Sequence, residues 1–155
     1  MVMMNHSPIS GVLLESAEIP LAAEPFGVLV NGSGVDMRNF DGVAALVQVT
    51  VVAGAGTWQV FLQMADDAGF TQNVTPIVDA GTGAAASSPA GGTTTGFFWV
   101  EAYRPPKRFV RAVSNPLVAN ITLAVTMFRY KHTGNNPIHA KDALGLSNRV
   151  VVRAA

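Results

Sequence analysis

Apolar and polar residues alternate with a period of two along much of this chain; a period near 3.6 would mark a helix. Val43, Ala45, Val47, Val49 and Val51 alternate with Ala44, Leu46, Gln48 and Thr50. Beyond Gly54-Ala55-Gly56, Trp58, Val60, Leu62 and Met64 alternate with Gln59, Phe61 and Gln63. Two such runs around a glycine-rich turn predict a β-hairpin over residues 42–65. Ile121, Leu123, Val125 and Met127 alternate with Thr122, Ala124 and Thr126, which predicts a half-buried strand reaching Tyr130.

Shorter strands are predicted at 26–31, 35–40, 97–102 and 107–113. Residues 75–79 read as an edge strand, because Pro76 cannot donate to a ladder. Asn31-Gly32-Ser33-Gly34, Asp41-Gly42, Asp66-Asp67-Ala68-Gly69 and Asn115-Pro116 are turn formers between them. No amphipathic helix of normal length is predicted; a short helical turn is expected near 141–144. Many short strands divided by Gly, Pro and Asn turns predict an all-β chain, an antiparallel β-sandwich or jelly-roll-like single domain.

Extended arms are expected at both ends. Pro8, Pro20 and Pro25 disfavour a long helix, so residues 1–25 read as an N-terminal arm with a short strand around 12–16. The sandwich is assigned to 26–130 and a C-terminal arm to 131–155. Residues 80–96 are almost all Gly, Ala, Ser and Thr, and are expected to form a mobile loop that builds no core.

At 155 residues the chain can bury enough surface for one domain without staples. It has no cysteine, which excludes a disulfide framework, thiolate zinc ligation and thiol chemistry. The first residues lack a basic region ahead of an apolar run, so a non-secreted protein is expected. Residues 42–65 carry no charge, but Gln48, Gln59, Gln63 and the internal glycines argue against a membrane span.

Charge changes the picture more. Charged residues make up only 13% of the chain, about half the usual share of roughly 25%, which suits a protein that buries surface against neighbours. The formal net charge is zero, yet it is divided unevenly. Glu15, Glu18, Glu24, Asp36, Asp41, Asp66, Asp67, Asp79 and Glu101 precede residue 104 with Arg38 alone opposing them, whereas Asp142 alone opposes the bases beyond it. The basic final third therefore supplies the candidate contact residues Arg104, Lys107, Arg108, Arg111, Lys141, Arg149 and Arg153. Protein carboxylates are the expected partners; nucleic acid is not, because a domain that grips phosphates is usually basic overall.

Catalytic and cofactor chemistry find no constellation. His6, His132 and His139 fall near the chain ends, and the spacing of the last two matches no common metal pairing. Asp66-Asp67 reads as a turn, since the remaining oxygen ligands of a calcium loop are missing. The glycines at 91, 92 and 96 have no lysine with them and lead into Phe97-Phe98-Trp99, so they do not read as a phosphate loop. No enzyme activity, cofactor or metal is expected.

Three blocks bear a resemblance: Val35-Asp36-Met37-Arg38-Asn39-Phe40-Asp41-Gly42, Gln63-Met64-Ala65-Asp66-Asp67-Ala68-Gly69-Phe70 and Pro106-Lys107-Arg108-Phe109-Val110-Arg111. In order and spacing they resemble the head decoration, or cement, proteins of tailed bacteriophages. Those are small β-rich proteins encoded beside the major capsid protein. Met64-Ala65 stands where that family often has Glu-Ser, and Phe109 where it often has Tyr. The resemblance implies a non-catalytic virion protein, made in the host cytoplasm. It would bind the major capsid protein on the capsid exterior as a homodimer or homotrimer. The alternative from the residues is a carbohydrate- or receptor-binding module of a tail protein, with Trp58, Trp99 or Tyr103 as stacking platforms.

Overall fold

The computed structural model describes residues 13–24, 27–79, 82–87, 95–130 and 149–153. The described residues are all-β, with no helix among them. The strands are β1 (Leu13–Glu24), β2 (Val30–Asn31), β3 (Val35–Asp36), β4 (Gly42–Ala65), β5 (Thr75–Pro76), β6 (Gly96–Tyr103), β7 (Phe109–Tyr130) and β8 (Arg149–Arg153). They join one sheet whose main path is β1-β7-β4-β6-β8, with β2 and β3 on β7 and β5 on β4. Every pairing is antiparallel except β6 with β8.

Two long strands make the frame. β4 and β7 pair from Gly42↔Tyr130 at one end to Ala65↔Phe109 at the other. Held straight, the 24 residues of β4 would run to about 80 Å at ~3.3 Å per residue. They cannot be straight, because Gly42 also pairs with Tyr103 while Ala65 pairs with Phe109. Only residues 104–108 separate those two partners, a reach of about 20 Å at most. The β4–β7 ribbon therefore doubles back on itself. The ladder shifts register between Val49 and Val51 and again between Ala53 and Gly56, where Gly56 has φ +133°. Bulges bend a strand and sharpen its twist, and glycine adopts that φ without a Cβ penalty.

The bend gives two facing layers, a β-sandwich made from one folded sheet. In the first, the N-terminal half of β4 lies between β6 and the C-terminal half of β7, with β1 and β8 outside them. In the second, the C-terminal half of β4 pairs with β5 and the N-terminal half of β7, which β2 and β3 flank. The inward set changes parity across the bend. Val43, Ala45, Val47 and Val49 point into the core before it, and Trp58, Val60 and Leu62 after it. On β7, Val110 and Ala112 are matched beyond the bend by Ile121, Leu123, Val125 and Met127. Trp58 of the second layer meets Phe98 of the first edge-on, with ring centroids 5.0 Å apart, a favourable aromatic geometry.

Several sequence expectations are corrected here. Residues 42–65 are one bent strand and not a hairpin, because both flanks of the glycines bond to β7 and not to each other. Asn115-Pro116 is not a turn. It lies inside β7, with Pro116 opposite Trp58 and its carbonyl accepting from the Gly27 N–H at 2.7 Å. Residues 13–24, assigned to an arm, form β1 along β7, with register shifts that twist this edge. Residues 149–153, assigned to the other arm, pair with β6. Within the expected mobile loop, Ala86 is fully buried, and Val78↔Ala85 and Phe61↔Ser87 bridge residues 85–87 to the sheet. The edge strand expected at 75–79 is present as β5 and the Val78 bridge. The expected helical turn near 141–144 lies outside the described residues.

Part of the outer face of the first layer is buried as well. Ala44, Trp99 and Tyr130 form a second cluster with Leu46, Tyr103 and Phe128 against it. Trp99 stacks on Phe128 at 5.8 Å, and Gly42 lies so close to the Tyr130 ring that a Cβ there would fall 2.1 Å from it.

Candidate contact surface

The fold-back of β4 brings four segments to one end of the sandwich: the β3–β4 link, the start of β6's exit loop, the start of β7 and the end of β7. Asp41 knots them, donating its N–H to the Tyr130 carbonyl at 2.9 Å while its own carbonyl accepts from the Arg104 N–H at 2.7 Å. Arg104 takes a left-handed φ of +51° to reach it.

Asp36 is the focus of this end. Its carboxylate accepts from Arg108 Nη2 at 2.7 Å and from Arg108 Nε at 3.1 Å, and from Arg38 Nη2 at 2.9 Å. The Arg38 backbone N–H donates to it as well, and the Asp36 carbonyl accepts from Arg129 Nη1. One negative charge is thus shared by two guanidinium groups that remain open to solvent, with side-chain exposures of 63% for Arg38 and 47% for Arg108. The result is a positive face braced from beneath by a carboxylate.

Aromatic rings hold the guanidinium planes. Arg108 lies over Phe109 at 4.8 Å, Arg129 over Phe40 at 4.5 Å, Arg104 over Tyr103 at 5.2 Å and Arg111 over Phe70 at 4.4 Å. Stacking suits arginine's flat, weakly hydrated cation better than a lysine ammonium. Arg111 also donates from Nε and Nη2 to Gln63 Oε1 at 3.1 and 2.9 Å. Burial lowers the pKa of Arg111 and of Arg129, and arginine keeps its charge nonetheless.

The neighbouring loop is rigid by its own hydrogen bonds. The Asp67 carboxylate accepts from the Gln72 N–H at 2.7 Å, the Thr71 N–H at 3.0 Å and Thr71 Oγ1 at 2.9 Å. Asp66 accepts from Asn73 Nδ2, and the Asn73 carbonyl accepts from Lys107 Nζ. The turn expected at Asp66-Asp67 is thereby realised, with its carboxylates occupied by the loop.

Among the sequence candidates, Arg104, Lys107, Arg108 and Arg111 come together here, each against a partner within the chain. Arg149 and Arg153 occupy register positions opposite Trp99 and Tyr103 on β8. Lys141 lies outside the described residues. Three participants are not among those candidates: Asp36, Arg38 and Arg129. Arg38 follows Asp36 by two residues, a spacing that could have suggested the pair, but nothing local ties Arg129 to Asp36.

A buried acid is also absent from those candidates. Glu101, 5% exposed, sits in the outer cluster of the first layer and accepts from Trp99 Nε1 at 3.3 Å and from the Tyr130 hydroxyl. The two indoles are closed to a sugar ring, with Trp58 1% and Trp99 4% exposed. No protein-family profile matches the chain, and no curated protein sequence matches it.

Proposed function

We propose that this is a virion structural protein that binds the exterior of a tailed-phage capsid and stabilises the shell. The observation that carries this reading is the convergence of the three blocks that resemble the decoration family. Val35↔Val110, Asp36↔Phe109, Gln63↔Arg111 and Met64↔Val110 place them on adjacent strands. Arg108 on Asp36 and Arg111 on Gln63 and Phe70 join them by side chains. Blocks far apart in sequence thus build one rigid end, which is what a shared architectural motif would require. The open guanidinium groups of Arg38 and Arg108 suit an acidic patch on the major capsid protein.

Stabilisation would come from mass action, with copies binding the assembled shell and not its free subunits. No catalysis, cofactor, nucleic acid or membrane enters this role. Burial of Trp58 and Trp99 in packed clusters takes away two of the three platforms of the carbohydrate-module alternative, which have to face solvent, and leaves only the half-buried Tyr103.

Co-sedimentation of the purified protein with empty expanded heads tests the reading. Saturable binding that weakens as salt rises is expected, since exposed charges are screened. Failure to pellet with heads at low salt would refute it.

A further inference from the structure

Two buried polar atoms of the second layer, Trp58 Nε1 and Ser114 Oγ, have no hydrogen-bond partner among the described residues. Both residues are closed to solvent, Trp58 at 1% exposure and Ser114 at 0%. An indole N–H can only donate, whereas a serine hydroxyl both donates and accepts. Leaving either unpaired in a core is costly, and native interiors ordinarily supply a partner.

The ladder sets the two side by side. Trp58 pairs with Pro116 and Val60 with Ser114. Trp58 and Val60 both point into the core. Side chains of paired residues share a face, as do those at every second position of a strand. Ser114 therefore lies on the inner face, in line with the core residues Val110 and Ala112. Trp58 and Ser114 are diagonal neighbours across β4 and β7, with Cα atoms about 7–8 Å apart, a span within reach of an aromatic side chain.

Their described neighbours are apolar or already engaged. Ser114 stands between Val60 on β4 and Val30 on β2, and Val30 packs against the same core. Pro116 has no N–H, and its carbonyl accepts from the Gly27 N–H. Phe98, which meets Trp58 edge-on, carries no polar side-chain atom. Thr75, whose Oγ1 is also unpartnered, stands further along β4, opposite Met64.

We infer that one water molecule is held between Trp58 and Ser114, accepting from the indole N–H and sharing a hydrogen bond with the serine hydroxyl. A donor and a donor–acceptor on diagonal positions of an otherwise apolar face are matched by a small molecule that can do both. Buried waters ordinarily occupy such places, on groups that the chain itself leaves unsatisfied. The site lies just past the shift that ends at Gly56↔Val118. It ties β4 to β7 where their ladder resumes, behind the ring by which Trp58 reaches Phe98 of the first layer. Ser114 is thereby a positioning residue for the contact between layers. The inference concerns the domain alone and is tested with no heads present, so its failure and that of the capsid reading are distinct.

The experiment is water–protein nuclear Overhauser spectroscopy on the full chain, with the indole N–H signals of its two tryptophans assigned through their rings. The Trp58 N–H is expected to give a cross-peak to water with the sign of a long-lived bound molecule. No cross-peak would overturn the inference. An upfield-shifted N–H without one would do so too, by assigning the donor to the face of Phe98. Ser114→Ala is expected to abolish the cross-peak and to lower the thermal midpoint by about 2–4 °C, the shift that loss of roughly one net hydrogen bond gives a domain of this size. A dry site predicts the opposite sign, because alanine would then remove an unpaired hydroxyl from the core. An unchanged or raised midpoint would therefore also overturn it.

Discussion

Arg108 clasps Asp36 across 72 residues of sequence, with Nη2 at 2.7 Å and Nε at 3.1 Å from its carboxylate. Neither residue owes this contact to its local sequence. β3 pairs with β7 so that Asp36 stands opposite Phe109, and the arginine lies one position before that partner. Folded geometry thereby converts a candidate intermolecular contact into an internal brace whose outer side still faces solvent.

Asp36→Ala should consequently destabilise the domain. It removes the acceptor of a two-pronged arginine contact and leaves Arg38 and Arg108 adjacent without their shared counter-charge. A loss of about 1 kcal/mol is expected, since the group is only partly buried and solvent screens it. Arg38→Ala should cost less, about 0.5 kcal/mol or below, as an exposed partner. Urea unfolding of both variants checks the order.

Glu101→Ala should be costlier. Trp99 Nε1 and the Tyr130 hydroxyl lose their shared acceptor inside a packed cluster. Removing an acceptor from buried donors costs ~1–3 kcal/mol. The loss should appear in the unfolding midpoint and in the fluorescence of Trp99, and an unchanged midpoint would refute the buried role.

Gly42→Ala tests the close approach of strand and ring. The added Cβ would lie 2.1 Å from the Tyr130 ring, itself fixed by Glu101 and by its pairing with Gly42. Overpacking of this kind costs ~1–3 kcal/mol. Gly27→Ala meets no atom within 4 Å, although its φ of +69° penalises a side chain. The Gly42 variant is expected to be the less stable of the two in thermal unfolding.

Stability should also fall on the acid side through Asp67. The Gln72 backbone N–H, with help from Thr71 and partly opposed by desolvation, holds its carboxyl below the ordinary aspartate value. A group whose pKa is depressed on folding adds stability that is complete above its unfolded value. That stability is lost as pH falls through the folded one. Asp67→Asn should therefore flatten the decline of the urea midpoint on acidification below the ordinary aspartate range. An identical slope in both proteins would count against this loop as its source.

Period-two alternation and the spacing of Gly, Pro and Asn were enough to define an all-β chain and to place most strands. These signals are local, since a strand half-buried against any partner shows the same alternation. Which strand pairs with which is not local. The runs on either side of Gly54-Ala55-Gly56 satisfy a hairpin and a bent strand equally well, and hydrogen bonding to β7 decided for the bend. The same holds for Asn115-Pro116, where a proline tolerated opposite Trp58 replaces an expected turn. The basic candidates were legible as charges, but Arg129, Asp36 and buried Glu101 became visible only when β4 folded back and brought the ends of its partners together. Composition could assign an imbalance of charge to the two parts of the chain. Only the strand order could set Glu15 and Glu18 on one edge of a layer and Arg149 and Arg153 on the other, because edge position is a property of the completed sheet.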